Sequence, residues 1–414
     1  MKRNTRILFL AEAVTLAHVA RPLVLASAAS DAGYETAIAC DRRYQKFVDD
    51  GPWTTLPLHS IGTERFLNAL AKGKPFYDEA LLKQYVEEDL VLLRRIQPDL
   101  VVGDFRLSLS VSARLAKVPY ASITNAYWSP YAAVKTLPLP VLPMTKALPL
   151  PVAGALFDVF SPLVTRLFVR PFGRLRKAYG LPALTPDLRV VYTDADHVLY
   201  ADVPQMFATR PLPPHHRFIG PILWTPPVPP PAWWDSIGSS PKPVIYVTLG
   251  SSGPPELLSM VLDVLASMPV TVMASTAGAV TTARSAGNVY VADYLPGIEA
   301  AARSDLVICN GGSPTAQQAL AAGVPVLGIA SNMDQFLNMQ AIVASGTGLL
   351  LRADRTSPAA IRSTVERMLA SGVFAQAAGA LARDFAAFDA GQAFCAFVDQ
   401  VIANGGASAD PGTP

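Results

Sequence analysis

Short apolar runs alternate with longer amphipathic segments in the N-terminal part of the chain. The longer segments have the spacing of helices, and the apolar runs between them have the length of buried strands. Strand–helix–strand alternation predicts a parallel sheet with helices on both faces. In chain order the predicted elements are the strand Ile7–Ala11, a helix over 19–33, the strand Thr36–Ala39, a helix over 79–96 and the strand Leu100–Gly103.

The same alternation starts again at Val244. The chain is therefore predicted to contain two doubly wound α/β architectures of the same kind, although the two halves are not a sequence repeat. The predicted elements of the second half are the strand Val244–Leu249, a helix over 254–267, the strands Val270–Ala274, Val289–Ala292 and Leu306–Cys309, the helix Pro314–Ala322 and the strand Val324–Ile329.

Twelve prolines lie between residues 204 and 243, where they separate the two halves. No helix or central strand tolerates that density, so this segment is predicted to be an extended connector. We expect an N-terminal domain over 1–225, a proline-rich linker over 226–243, a C-terminal domain over 244–380, a helix over 381–402 that could pack back on the N-terminal domain, and a disordered tail over 403–414.

The composition excludes several classes of protein. The 414 residues are 51% hydrophobic and 16% charged, which excludes an intrinsically disordered chain. A formal net charge of +2 argues against a protein that binds nucleic acid by neutralising many phosphates. The run Ile7–Ala11 is too short for a signal peptide, and the three cysteines (Cys40, Cys309 and Cys395) are too scattered for a disulfide framework. We therefore expect a cytoplasmic protein.

Two loops in the second half combine glycine with hydroxyl side chains between a predicted strand and a helix. They are Thr248–Gly253 and Asn310–Thr315, in which Pro314 suits the first turn of a helix. Neighbouring parallel strands end at one edge of a sheet, so both loops should meet there and bind phosphate through a helix N-terminus. Asp334 and Gln335 follow the next strand and suit sugar hydroxyls. For either loop alone, an ordinary capped turn is the alternative interpretation.

In the first half, His18 and Asp104 each follow a predicted strand at its carboxyl end. His18 is the only one of the five histidines in such a position. A carboxylate on one imidazole nitrogen fixes the tautomer and leaves the other nitrogen as a base near neutral pH. Taken singly, each residue is more simply explained as a helix cap, so the hypothesis depends on their pairing.

Residues 130–182 form a third distinctive region, with Leu/Pro runs, aromatic side chains and the arginines Arg166, Arg170 and Arg174 at a spacing of four. One interpretation is an internal helix pair packed on the N-terminal sheet. The other is an apolar substrate pocket or a patch that contacts a membrane surface. Amphipathic spacing alone does not decide between them.

Over essentially its whole length the chain resembles the GT-B, family 1 nucleotide-sugar glycosyltransferases, which include macrolide and rhamnolipid-type enzymes. The resemblance implies two Rossmann-like domains facing across a cleft. It also implies an inverting, metal-independent transfer of a sugar from a UDP- or dTDP-linked donor to a hydroxyl of a hydrophobic small molecule or lipid. The residues that carry the resemblance are His18 with Pro22, Asp104, and the runs 248–252, 310–315, 321–325 and 334–338.

The resemblance implies roles for individual residues. His18 would be the base and Asp104 its partner. The apolar acceptor would meet Trp128, Tyr131, Phe157 and Phe160 in the N-terminal domain. The donor would be bound by Thr248, Gly250, Ser251, Ser252, Tyr294, Asn310, Gly311, Gly312, Ser313, Thr315, Gln318, Asp334 and Gln335.

At three of these donor positions the chain departs from the family pattern. Asn310 stands where the family commonly has histidine, Gln318 where it has glutamate, and Tyr294 where it has tryptophan. Both carboxamides still form hydrogen bonds but carry no charge. The departures therefore bear on the identity of the donor more than on the fold.

Two other functions stay open at this point: a sugar-nucleotide 2-epimerase of the same fold, and a non-catalytic glycosyltransferase-like helper subunit. The pairing of His18 with Asp104 favours transfer. We expect a nucleotide sugar and a hydrophobic acceptor as partners, no cofactor, no metal ion and no nucleic acid. A monomer or a homodimer is expected, and peripheral contact with the inner face of a membrane is an open option.

Overall fold

The structure is a computed structural model that describes residues 5–134, 136–237, 241–250, 253, 255–278 and 286–405. Two compact units make up the chain. The first contains Met1–Val134, Leu150–Ile222 and Phe388–Pro414, and the second contains Lys135–Pro149 and Leu223–Ala387. Ser251, Ser252 and residues 406–414 of the predicted tail lie outside the described residues.

Seven parallel strands form the sheet of the first unit: β1 (Arg6–Ala11), β2 (Glu35–Cys40), β3 (Thr54–Pro57), β4 (Leu100–Asp104), β5 (Tyr120–Thr124), β6 (His197–Tyr200) and β7 (His216–Phe218). They lie in the order β3-β2-β1-β4-β5-β6-β7. The order therefore changes direction between β1 and β4. At such a switch point the loops after the two strands diverge and leave a crevice at their carboxyl ends.

Six parallel strands form the sheet of the second unit: β8 (Val244–Thr248), β9 (Thr271–Ser275), β10 (Val289–Ala292), β11 (Leu306–Cys309), β12 (Val326–Ala330) and β13 (Gly348–Arg352). Their order is β10-β9-β8-β11-β12-β13, which changes direction between β8 and β11. Strands β8, β9 and β12 are buried at every residue, as expected for a sheet covered on both faces. The two predicted parallel sheets are confirmed.

The helices are α1 (Ala17–Asp31), α2 (Thr63–Ala71), α3 (Glu79–Ile96), α4 (Leu109–Ala116), α5 (Pro143–Ala147), α6 (Leu150–Ala178), α7 (Leu188–Tyr192), α8 (Trp234–Ile237), α9 (Pro255–Ala266), α10 (Gly297–Ala302), α11 (Ser313–Ala321), α12 (Met333–Ala344), α13 (Pro358–Ala370), α14 (Gly372–Ala386) and α15 (Ala390–Ala403). Local signals explain their ends. Helix α3 starts after Asp78, whose side chain accepts a hydrogen bond from the amide of Leu81 at 2.9 Å.

The segment before α6 packs in the second unit, although it falls inside the predicted N-terminal domain. The amide of Val141 donates to the carbonyl of Ser331 at 2.7 Å, and Arg352 Nη1 donates to the carbonyl of Leu139 at 2.7 Å. Strand β7 is a second difference, since it lies inside the proline-rich region that predicts an extended connector. It is the last strand of its sheet, a position at which neighbouring prolines are tolerated.

Helices differ from the prediction at two places. Helix α6 is one continuous helix of 29 residues with Pro162 and Pro171 inside it, whereas one of the two interpretations of this region was an internal helix pair. The predicted helix over 381–402 is interrupted, because α14 ends at Ala386 and Asp389 caps α15 by accepting from the amide of Gln392 at 2.9 Å. Helix α15 belongs to the first unit and packs on α1.

Candidate active site

His18 and Asp104 meet at the switch point of the first sheet. His18 is the second residue of α1, which follows β1, and Asp104 is the last residue of β4. His18 Nδ1 lies 2.7 Å from Asp104 Oδ1. The carboxylate is fully buried, whereas the histidine side chain is 20% exposed. The predicted pairing is thus present, and the imidazole remains partly accessible to solvent.

Arg21, one turn after His18 on α1, clamps the same carboxylate. Its Nε donates to Asp104 Oδ2 and its Nη2 donates to Asp104 Oδ1, both at 2.7 Å. Burial by itself would lower the pKa of Arg21, but the charge of Asp104 more than offsets this, so that the pKa is raised and the guanidinium stays charged. The bidentate contact holds the carboxylate plane in one orientation.

The contacts of the carboxylate decide which imidazole nitrogen carries the proton. An ionised carboxylate only accepts hydrogen bonds, so the 2.7 Å contact requires a proton on His18 Nδ1. Arg21 Nη2, 3.2 Å from the same Nδ1, then has no lone pair to donate to and is directed to Asp104 instead. In the neutral ring this leaves Nε2 with its lone pair available as a base.

A second polar pair extends the cluster away from His18. Arg21 Nη1 donates to Asn125 Oδ1 at 2.8 Å, and Asn125 Nδ2 donates to Asp202 Oδ1 at 3.0 Å. Arg21, Asn125 and Asp202 were not predicted from the sequence. A signal existed for each. Arg21 is three residues from His18 on one helix, Asn125 directly follows β5, and Asp202 is the second residue after β6 at the same sheet edge.

Phe105 is a further residue that was missed. It has a left-handed backbone with φ of 58°, and its ring stacks on His18 with 4.7 Å between centroids and 16° between planes. A non-glycine residue in this conformation marks a constrained position. The stacking restricts rotation of the imidazole by contact with its ring face, whereas Asp104 contacts its Nδ1 edge.

Arg106 fixes the loop that follows Asp104. Its guanidinium is fully buried and donates to Asp89 Oδ1 at 2.9 Å and to Glu12 Oε2 at 3.0 Å. Burial raises the pKa of Glu12 and of Asp89, and the positive charge of Arg106 opposes both increases. These contacts tie the loop after β4 to the end of β1 and to α3, and so support the position of Asp104.

The four predicted acceptor residues have different environments. Trp128 is buried, with its ring 4.9 Å from that of Tyr192, and Tyr131 packs edge-on against His216 at 5.3 Å. Phe157 is half-buried on α6, and Phe160 on the same helix is 54% exposed. The role of all four as acceptor contacts remains a prediction. The rings beside His18 are instead those of Phe105 and its neighbours Phe66, Phe76, Tyr77 and Tyr192.

The predicted donor loops meet at the switch point of the second sheet, after β8 and β11. Asn310 joins them, because its Nδ2 donates to the carbonyl of Leu249 at 2.8 Å and its Oδ1 accepts from the amide of Gly312 at 2.9 Å. Thr248 Oγ1 accepts from the amide of Gly250 at 3.3 Å. The carboxamide of Asn310 thus joins the two loops at a position where the family commonly has histidine.

Gly311 and Gly312 lead into α11, which begins at Ser313. Gly312 is the residue that caps the helix and has no side chain to bond the first amides, while Pro314 stands in the first turn as predicted. Gly311 has φ of 81°, and a Cβ there would come within 2.6 Å of Met339 Cγ. Gly312 has an ordinary φ of −70°. The helix N-terminus, with Thr315 half-buried in the same turn, is suited to an anion.

Two of the predicted donor contacts have partners within the unit. Gln318 Nε2 donates to the carbonyl of Trp224 at 2.6 Å. Gln335 Oε1 accepts from the amides of Ser331 at 2.8 Å and Asn332 at 3.2 Å, which closes the first turn of α12. Asp334, beside it in that turn, is half-buried.

The last predicted donor residue, Tyr294, follows β10. A Cβ at Gly278 would lie 2.6 Å from its hydroxyl, so the phenol ring closes over that glycine. Gly278 has φ of 78°, a conformation that suits glycine independently of the close approach. Tyr294 is half-buried, and its contact with a nucleotide base remains a prediction.

Comparison with known sequences gives matches along most of the chain. Residues 257–393 match the family model described as erythromycin biosynthesis protein CIII-like, C-terminal domain. The PGL/p-HBAD biosynthesis glycosyltransferase of Mycobacterium tuberculosis (strain ATCC 25177 / H37Ra) is 48% identical over 390 residues, 93% of this chain and 91% of that protein. The PGL/p-HBAD biosynthesis rhamnosyltransferase of Mycobacterium bovis (strain BCG / Pasteur 1173P2) is 48% identical over 383 residues, 92% of this chain and 85% of that protein.

Among solved structures, the spinosyn rhamnosyltransferase SpnG is similar over 95% of this chain and 100% of its own, with a TM-score of 0.69 and 16% identity. The same protein has been solved in complex with thymidine diphosphate and with spinosyn aglycone. At this identity the likeness concerns the fold.

Proposed function

We propose a mechanism from one premise: the chain belongs to the GT-B glycosyltransferases, the family of its mycobacterial relatives. The resemblance noted in the sequence is thereby confirmed, and the protein is a glycosyltransferase. The proposed reaction is a single, inverting displacement that moves a sugar from a nucleoside diphosphate to a hydroxyl of a hydrophobic acceptor. His18 is the general base and Asp104 is its partner.

The pair of His18 and Asp104 is the observation that carries this proposal. The 2.7 Å contact with a fully buried carboxylate, itself held by Arg21, occupies Nδ1 and leaves Nε2 as the basic nitrogen of a side chain that is 20% exposed. Arg21 is a positioning residue in this account. It prevents the carboxylate from rotating, and thereby keeps the proton of the imidazole on Nδ1.

In the proposed step, Nε2 takes the proton of the acceptor hydroxyl while its oxygen forms a bond to the anomeric carbon. The bond from that carbon to the diphosphate oxygen breaks, and the electron pair leaves with the nucleoside diphosphate. Attack opposite to the leaving group inverts the anomeric centre. The leaving group gains negative charge, which the N-terminus of α11 and the glycine loop before it would stabilise.

The donor is proposed to be a UDP- or dTDP-linked sugar. Two names support a first choice: one relative is called a rhamnosyltransferase, and SpnG was solved with thymidine diphosphate. We therefore place dTDP-rhamnose first in a donor panel. The acceptor class is supported by the aromatic rings that surround Phe105 beside His18, because they form an apolar environment next to the base.

The test measures nucleoside-diphosphate release and product formation with UDP- and dTDP-sugars and a series of phenols and alcohols of increasing alkyl length. His18→Gln should lower kcat by about 10²–10⁴-fold, as expected for loss of a general base. Binding of the nucleoside diphosphate, measured by calorimetry, should stay near the wild-type value because the donor loops belong to the other unit. The anomeric configuration of the product, read from its NMR couplings, tests inversion.

A matched control is His59→Gln, which makes the same replacement at an exposed histidine in the same unit. Near-normal turnover of His18→Gln would show that His18 is not the base. A changed sugar without an acceptor would indicate an epimerase, and no donor cleavage under any condition would indicate a helper subunit.

A further inference from the structure

The outer face of α6 is unusual in being both apolar and exposed. Of the ten large apolar side chains that are exposed in the described part of the chain, six lie on this helix. Monomeric soluble proteins rarely expose a contiguous row of this kind without a partner. The six residues, with their exposed fractions, are Val152 (48%), Leu156 (37%), Val159 (71%), Phe160 (54%), Leu163 (55%) and Leu167 (46%).

These side chains share one face of the helix with a row of arginines. Spacings of three and four residues place all six, together with Arg166, Arg170 and Arg174, within about 60° of Leu163 around the helix axis. All three arginines are exposed. The first half of the face is apolar and the second half is basic.

The charge of α6 differs from that of the rest of the chain. The helix contains five basic residues and one acidic residue, Asp158, a net of +4, whereas the whole chain carries +2. Two copies of this face would therefore repel one another, while a surface of anionic lipid would attract it. An apolar row beside a basic row is the pattern of a helix that lies in the interface of a bilayer.

The helix has the length and composition to span a membrane, yet its C-terminal half is held by the fold. Only 17% of its most apolar stretch is buried. Val169, Phe172 and Leu175 are buried, and Arg176 forms an ion pair with Asp194. A helix anchored on one side and apolar on the other is suited to lie on a bilayer.

A groove beside this face shares two of its lining residues with the aromatic cluster around Phe105. Leu167, Arg170 and Arg174 line a groove of 280 Å³ together with Phe76 and Tyr77. The Phe76 and Tyr77 rings lie 5.8 and 6.4 Å from that of Phe105. Phe105 in turn stacks on His18. An acceptor that leaves a bilayer along α6 would therefore meet aromatic rings up to the candidate base.

We propose that the exposed face of α6 docks on a bilayer of anionic lipid, and that the groove beside it receives the acceptor from that bilayer. The docking part is independent of the reaction, and the acceptor part rests on the proposed function. Apolar side chains of the first half enter the lipid, and Arg166, Arg170 and Arg174 contact the lipid phosphates.

Flotation with phosphatidylcholine vesicles, with and without phosphatidylglycerol, tests the docking. The wild-type protein should float only with the anionic vesicles. The triple variant Arg166→Gln/Arg170→Gln/Arg174→Gln should bind these vesicles about 100-fold more weakly. At 1.4 kcal/mol per tenfold change, this corresponds to a loss of about 1 kcal/mol of attraction to anionic lipid for each arginine. Leu156→Gln/Phe160→Gln/Leu163→Gln should also lose flotation.

Matched controls make the same replacements elsewhere on the surface. Lys72→Gln/Arg94→Gln/Arg95→Gln removes three exposed charges, and Val91→Gln/Val373→Gln removes two exposed apolar side chains. Both controls should float like the wild type. The proposal would be overturned if flotation did not depend on phosphatidylglycerol, or if the control variants lost flotation as the α6 variants do. It would also be overturned if the protein formed a dimer in ultracentrifugation and did not bind vesicles.

A turnover assay separates this proposal from the proposed function. The triple variant Val152→Gln/Val159→Gln/Leu163→Gln changes exposed side chains of α6 that are not among the residues lining the groove. It should lose flotation and keep its turnover with a short, water-soluble acceptor, and it should lose turnover with a long-chain acceptor presented in anionic vesicles. If no acceptor supports turnover while the protein still floats with anionic vesicles, the proposed function is contradicted and the docking of α6 is not. Equal turnover of wild type and variant on vesicle-borne acceptor would overturn the delivery of acceptor along α6.

Discussion

Removing Arg21 should strongly destabilise the first unit, because it leaves the buried carboxylate of Asp104 without its ion-pair partner. In Arg21→Met the fully buried carboxylate loses two hydrogen bonds of 2.7 Å and keeps its contact with His18. A hydrogen bond to a charged group contributes about 1.5–3 kcal/mol, and removal of one partner of a buried ion pair costs about 3–5 kcal/mol. We expect Arg21→Met to lower the free energy of unfolding of the first unit by about 3–5 kcal/mol.

The double variant Arg21→Met/Asp104→Asn tests the cause of that loss. It leaves no uncompensated charge, so its cost should be smaller than the sum of the two single variants by about 2 kcal/mol, within the usual range for residues in direct contact. Arg21→Met should also lower kcat without changing donor binding, because the unclamped carboxylate no longer holds the His18 tautomer. Arg21→Lys, which restores the charge but not the two parallel bonds, should recover stability more than kcat.

Hydrogen exchange of peptides from β1 and β4 across a urea series reports on the first unit alone. Lys83→Met serves as the control, because the Lys83 ammonium group forms a solvent-exposed ion pair with Glu79 at 2.9 Å. Removal of an exposed pair should leave hydrogen exchange nearly unchanged. Strictly additive losses in the double variant would refute the view that Arg21 acts through Asp104.

Three further expectations concern the glycine loop, a buried histidine and metal dependence. Gly311→Ala should lower the free energy of unfolding, measured in urea, by about 1–2 kcal/mol because of the positive φ at this position. Gly312→Ala should lower it by less, and the reverse order would contradict the view that the backbone conformation of Gly311 requires glycine. Burial, together with the charge of His215, lowers the pKa of His216 to about 3. In the unfolded chain the pKa of this residue is about 6.5, so as the pH falls the unfolded chain binds a proton at His216 before the folded protein does. Between about pH 6.5 and 4.5, His216 should therefore lower the free energy of unfolding by about 1.4 kcal/mol for each pH unit of acidification. His216→Gln should lack that slope, and an identical slope in the variant would refute it. Turnover should survive chelation with EDTA, and loss that only a divalent ion restores would contradict a metal-independent reaction.

Eight of the thirteen strands in the described part of the chain were predictable from their apolar runs, whereas β3, β5, β6, β7 and β13 were not predicted. Strands β10 and β11 have the predicted bounds, and the eight predicted strands agree with the structure to within two residues at each end. Helix α3 also has the predicted bounds, since its pattern is long and Asp78 marks its start. Short edge strands such as β7 carry no such signal, because three residues between prolines have no readable period.

The differences arise where distant residues decide the structure. The segment before α6 follows partners such as Ser331 and Arg352, about half the chain away, and no local pattern encodes such contacts. Helix α6 continues through Pro162 and Pro171, which a sequence rule treats as ends. The left-handed backbone of Phe105 is likewise set by its surroundings, since glycine would be the expected residue there.

The two switch points have the same topology but differ in the kind of chemistry they hold. At the first, buried side chains act on one another, so His18 depends on Asp104, which depends on Arg21. At the second, the features that suit an anion belong to the backbone, namely the positive φ of Gly311 and the first amides of α11, while the Asn310 side chain joins the two loops. A motif of glycines is visible in a sequence because the backbone demands it, whereas Arg21 becomes recognisable only once the carboxylate it clamps is known. Neutral replacements in the first cluster should therefore disturb catalysis and stability together, while substitutions in the second should disturb donor binding first.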